Sequence, residues 1–141
     1  MSIVEAKEFG CEQLAHGELR QVWICKKAIK DFRKADKIML KRVAKIIEKY
    51  CDYERAALGP TQFKQVRRDA KAGKKIALKE FKADQLRLYG IEETIAGNEM
   101  FIIVTVDTAK KRNKADSRKI TTALSKSWEY INKIGVYHGE N

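Results

Sequence analysis

The sequence predicts an α+β fold: a small antiparallel-containing sheet of about four strands with helices packed on it. Three observations predict it. Leu19 to Cys25 is rich in β-branched and aromatic residues and reads as a strand. A helical pattern follows Asp36, and three more strand patterns run between Ile76 and Val106 before a last helical pattern. With 141 residues, 44% of them hydrophobic, the chain can bury one domain's core without disulfides.

The elements are justified in order. The first ~18 residues, broken by Gly10 and Gly17, carry no clear pattern. After Leu19–Cys25, Asp36 is a candidate N-cap. Met39, Val43, Ile46, Ile47 and Tyr50 then recur at spacings of three and four, on one face of a helix of about 14–17 residues. Lys41, Arg42, Lys45 and Lys49 fall largely on other faces, as a solvated surface would. Pro60, the single proline, punctuates a helical first half and a strand-rich second half within one domain spanning residues 1–141.

Phe63 to Lys75 is very basic, and Gly73 predicts a turn before the next strand. Ile76 to Phe81 alternates, with Ile76, Leu78 and Glu80 on one side and Ala77, Lys79 and Phe81 on the other. Gln85 to Ile91 alternates again, with Arg87 and Tyr89 on a common side. Ala96-Gly97-Asn98 suits a hairpin turn. Met100 to Val106 is nearly continuous apolar, which predicts a central strand covered on both faces. The three strands should form a meander. A dense basic loop follows, with Lys110, Lys111, Arg112 and Lys114. Asn113 or Asp116 can then cap a helix striped by Ile120, Leu124, Trp128 and Ile131 and ended by Gly135.

Charge narrows the function. Thirty Lys and Arg against 19 Asp and Glu leave a net +11, with a pI near 9.6. Such an excess repels itself and makes sense when a polyanion is present, nucleic acid first and an acidic protein second. Cys11, Cys25 and Cys51 are widely spaced and form no metal-type pair, so they read as reduced thiols, with Cys25 and Cys51, in apolar company, expected to be core rather than reactive. There is no signal-peptide stretch and no run near ~20 apolar residues, so a soluble, cytoplasmic protein without membrane association is expected. The histidines, His16 and His138, stand far apart, and no zinc spacing, phosphate loop, dinucleotide fingerprint or Gly-x-Ser-x-Gly elbow is present. No metal and no cofactor are expected.

What remains is a sheet carrying basic and aromatic side chains. Such a surface can bind RNA through Arg and Lys on phosphates and Tyr or Phe on bases. It can also cut RNA without a metal. The 2′-OH attacks the adjoining phosphate once a base removes its proton, cations stabilise the transition state, and an acid protonates the leaving oxygen. Arg87, Lys79, Lys82 and Lys110 are candidate cations, and Tyr89, Tyr137 and His138 candidate proton carriers. Lys74, Lys75, Lys79, Lys111, Arg112 and Lys114 are candidate nucleic-acid contacts. An Arg or Tyr in a strand equally often pairs across the sheet or meets water, and whether Lys79 shares a face with Arg87 depends on register.

The run from Ile76 through the Leu86-Arg87 pair to Gly90, the hairpin, the apolar strand, the Lys110-Lys111 loop and the amphipathic helix come in an order that resembles the RelE/ParE toxin superfamily, especially its HigB or phage Gp49-like branch. The resemblance covers roughly residues 63–134. It implies a microbial-RNase-like α+β fold and a toxin of a type II toxin–antitoxin pair that acts as a ribosome-dependent mRNA endonuclease. Its partners would be the ribosome, mRNA and an acidic, often DNA-binding antitoxin. Arg87 then matches the family's strand arginine, Lys110 and Lys111 its basic loop, and Tyr137 and His138 its C-terminal proton-transfer positions. The strand Met100–Val104 lacks the second arginine that relatives often carry, leaving Lys79 or Lys82 to replace it. Two other functions fit the same features: a ParE-like toxin that binds a protein target such as gyrase, and a phage-derived nucleic-acid-binding protein without toxicity.

Overall fold

Four of the six strands in the sheet are the four read from the sequence, and the other two are edges. The computed structural model describes residues 10–95, 97–108 and 117–137. In chain order the elements are β1 (Cys11–His16), β2 (Arg20–Cys25), α1 (Lys26–Lys34), α2 (Lys37–Asp52), a 3-10 turn (Arg55–Ala57), β3 (Phe63–Lys71), β4 (Lys74–Ala83), β5 (Leu86–Ile95), β6 (Asn98–Asp107) and α3 (Ser117–Tyr137). The sheet order is β1-β2-β6-β5-β4-β3. β2 and β6 pair in parallel, and the other neighbours pair antiparallel. The sheet is therefore six-stranded and mixed, which corrects the expectation of about four strands.

The two extra strands escaped sequence reading for a physical reason. β3 carries a bulge between Gln65 and Arg67, so Phe63 packs with the core under α1 and α2 while Asp69, an even number of residues further on, reaches Trp128 of α3 on the opposite face. That breaks the two-residue alternation a strand normally displays. β1 is also bulged, between Gln13 and Ala15, and of its six residues only Cys11 is buried. α1 was hidden similarly: it buries only Ala28 and Ile29 among its lysines.

β6 is central and buried from Met100 to Asp107, as its apolar run requires. Its parallel partner β2 lies on the other side of Pro60 in sequence, so one sheet is built from both halves of the chain. A parallel pair needs a long crossover, here supplied by α1, α2 and strands β3 to β5.

The helices cover both faces. α1 and α2 pack over Val22, Ile24, Phe81, Leu88, Phe101 and Ile103. Phe81 stands edge-on to Tyr50 and Phe101, at centroid distances of 5.1 and 4.7 Å. α3 covers the opposite face, over Trp23, Leu78, Tyr89, Ile91 and Ile102. Trp128 of α3 donates its Nε1–H to Asp69 Oδ2 at 2.8 Å, tying the helix to the outer strand β3. α3 runs through Gly135 to Tyr137, where the sequence predicted a stop. Glycine ends a helix by adopting a left-handed conformation, and in a helical one it costs only about 1 kcal/mol.

Asp36 caps α2, its carboxylate accepting from the N–H of Ile38 at 2.9 Å and of Met39 at 3.2 Å. Asp36→Ala is expected to lower stability by about 1 kcal/mol, read as a shift in urea midpoint at unchanged slope. An unshifted midpoint would show that the cap contributes nothing. Among the described residues no helix is long and apolar enough to cross a membrane.

Candidate functional site

Strand register settles which of the predicted residues meet. Lys82 lies opposite Arg87 across β4–β5, and Arg87 opposite Asp107 across β5–β6. The next row is Glu80, Tyr89 and Thr105. Alternation puts both rows on the face that α3 covers, with Leu78 and Ile91. Asp107, the last residue of β6, therefore ends that strand beside Arg87.

The centre of this patch is an ion pair. Arg87 Nη1 donates to Glu80 Oε1 at 3.1 Å and to Oε2 at 3.3 Å. The two side chains are 4% and 1% exposed. Lys64 of β3, half exposed, brings Nζ to 3.8 Å from Glu80 Oε1. Lys82 is half-buried at the rim, while Tyr89, Thr105 and Asp107 are buried. Tyr89 has no exposed surface, so it supports the patch from beneath and presents no ring for a base to stack on.

Glu80 is the residue that sequence reasoning left without a role. Its signal was available: a carboxylate alternating with Ile76 and Leu78 stands on an apolar face. Burying a charge is costly without a partner, so such a residue announces an ion pair.

Lys79 goes elsewhere. It pairs with Gly90 in register and faces α2, where it forms a close ion pair with Glu92. Tyr50 donates its hydroxyl to Glu92 Oε2 at 2.6 Å, and Arg55 Nη2 lies 2.7 Å from the same oxygen. Burial raises the Glu92 carboxyl, but the hydrogen bonds from Lys79 and Tyr50 and the charges of Lys79 and Arg55 outweigh it and hold the carboxyl below its usual range. Burial, and then the bond to Glu92, pushes the Tyr50 phenol well up. Lys79 is thus committed to a polar network under α2, on the opposite face from Arg87.

Lys74 and Lys75 are exposed at the tip of the β3–β4 hairpin. Gly73 there has φ +80°, and the turn falls where the sequence placed it. Lys71 and Lys74 are directly cross-strand, and Arg67, Arg68 and Lys75 are exposed on the same ribbon. Like charges facing each other destabilise a hairpin. They also blunt an outer strand against pairing with another chain. Lys110, Lys111, Arg112, Lys114 and His138 lie outside the described residues, as do the alternative caps Asn113 and Asp116. For Tyr137, the structure describes the backbone as the last residue of α3.

No family model, curated protein or solved structure matches this chain. Among the described residues no three His, Cys, Asp or Glu side chains group to hold a metal ion.

Proposed function

We propose that this chain acts on RNA as a toxin-type, metal-independent endoribonuclease centred on Glu80 and Arg87. The carrying observation is their juxtaposition: a carboxylate and a guanidinium in contact, with Lys82 and Lys64 at the rim, beside the end of β6 at Asp107. In this reading a scissile phosphate takes the place of Glu80 on Arg87. The freed carboxylate accepts the 2′-OH proton as the 2′-oxygen bonds to phosphorus and the P–O5′ bond breaks, the leaving 5′-oxygen taking its proton from water, and Arg87 with Lys82 neutralises the charge that develops at phosphorus. Positioned proton transfer contributes roughly 10²–10⁴-fold, and preorganised cations about as much. The hairpin cations and the basic segment hold the RNA backbone. The same cations suit an acidic antitoxin, and the ribosome is the expected setting for the substrate.

Burial of the pair favours a second reading, in which Arg87 and Glu80 are structural. The chain then acts without cleavage, as a toxin that holds a protein target or as a nucleic-acid-binding protein, and its exposed hairpin makes the contact.

Induction in a bacterial host, followed by primer extension on an abundant mRNA, separates the two. Glu80→Gln keeps shape and removes the base, and Lys82→Ala removes a rim cation. Growth arrest with new mRNA ends, both lost in Glu80→Gln while the protein still folds, is the expected result. Arrest with intact mRNA, or new ends that persist in Glu80→Gln, would sink the nuclease reading. Loss of arrest on neutralising Lys71, Lys74 and Lys75 together, with mRNA intact throughout, would favour the second.

A further inference from the structure

Cys11 and Cys25 stand 14 residues apart in the chain and side by side in the fold. They are directly paired across β1 and β2, with their Sγ atoms 3.5 Å apart. A disulfide needs ~2 Å between sulfurs, and cross-strand neighbours can close that gap by small side-chain rotations. The two thiols are not equivalent. Cys11 is 1% exposed. Cys25 is half-buried and opens onto a cleft of about 160 Å³ at the start of α1, lined also by Lys26, Lys27, Lys126, Glu129, Tyr130 and Lys133.

We propose that Cys25 and Cys11 are a redox-active dithiol whose oxidant is a small anionic disulfide, Cys25 being the attacking sulfur and Cys11 the resolving one. Three observations converge on it. Only Cys25 of the two faces solvent. The cleft it borders offers four lysines and one glutamate, a cationic surround that concentrates anionic reactants. The resolving sulfur is already in contact. Thiolate character follows the same asymmetry. The hydrogen bond between the sulfurs, with the charges of Lys126 and Lys133, outweighs burial and lowers the Cys25 thiol. That bond, together with burial, pushes the Cys11 thiol up. Cys51 is buried, and burial pushes its thiol up to about 11, which makes it an internal control.

The chemistry balances in two exchanges. The Cys25 thiolate attacks one sulfur of RSSR, forming Cys25–S–SR and breaking the RS–SR bond; RS⁻ leaves and takes up the Cys25 proton. Cys11 then attacks the Cys25 sulfur, the protein disulfide forms, and the second RS⁻ leaves with the Cys11 proton. Two protein thiols are oxidised and one RSSR is reduced to two RSH. The product staples the outer strand β1 to β2 at the root of α1.

The test treats the full chain with oxidised glutathione, which is anionic, or with uncharged hydroxyethyl disulfide, and follows products by peptide mass spectrometry. The expected result is a Cys11–Cys25 disulfide with Cys51 still reduced, formed about tenfold faster with the anionic oxidant after correction for the intrinsic reactivity of the two disulfides. Lys126→Gln/Lys133→Gln should abolish that preference. Cys11→Ala, checked for folding by circular dichroism, should stop at a stable mixed disulfide on Cys25. First modification at Cys51, or a mixed disulfide on Cys25 that persists in the wild type, overturns the dithiol. Equal corrected rates for the two oxidants, or a preference the lysine variants leave intact, overturn the anionic oxidant. Should Cys11→Ala unfold, the wild-type product and the lysine variants still decide.

Discussion

Arg87→Ala is expected to destabilise the protein by about 3–5 kcal/mol, because it strands the Glu80 carboxylate in a site only 1% exposed. Lys64 offers little relief, since its Nζ is 3.8 Å away and half of its side chain meets solvent. A large loss follows from breaking the pair whether or not it is catalytic, so the single variant does not assign a function. The informative comparison is with Glu80→Met/Arg87→Met, which removes both charges and keeps apolar bulk. Replacing a buried pair in this way is often neutral or stabilising. Unfolding free energies of the two variants, from urea titration, should therefore differ by several kcal/mol, with the double variant near wild type. On the nuclease reading, RNA cleavage should be absent from both. A double variant that keeps cutting RNA would remove the pair from the mechanism, and a single variant as stable as wild type would show that the pair is open in solution.

Gly90→Ala is expected to cost about 3 kcal/mol, through backbone rather than charge. A Cβ at this position would stand 2.1 Å from the Ile102 carbonyl oxygen and 2.7 Å from Phe101 Cε1. Both belong to β6, which β2 and β5 flank and both helical layers cover, so the backbone there has nowhere to move. The register step between Tyr89 and Gly90, where Thr105 is followed by Ile103 as partner, lies at the same point. That bulge sets the phase that puts Arg87 opposite Asp107. The substitution should therefore disturb the Arg87 row as well as the fold. Thermal or urea unfolding checks the first effect, and on the nuclease reading the second would show as altered RNA cleavage in the protein that remains folded. A loss below about 0.5 kcal/mol would mean that the two strands part more easily than their packing implies.

How much of this was legible in the chain depends on how local the cause was. The α2 cap and stripe, the central apolar strand, the glycine turns and the cationic excess each come from neighbouring residues or from composition. Those were read correctly, because periodicity and turn chemistry act within a few residues. β1 and β3 were missed because edge strands bury little and bulges disrupt their alternation. The site divides along the same line. That Arg87 and Tyr89 share a side of their strand follows from parity. That Lys82 and Glu80 join them while Lys79 crosses to the Glu92 network depends on which residue faces which across β4 and β5, and a shift of one would exchange the faces. Burial of Arg87, and the contact of Cys11 with Cys25, come likewise from pairing between distant segments. Sequence patterns record what each segment needs to bury or expose. Which partner meets that need is set by the packing of the whole sheet between its two helical layers.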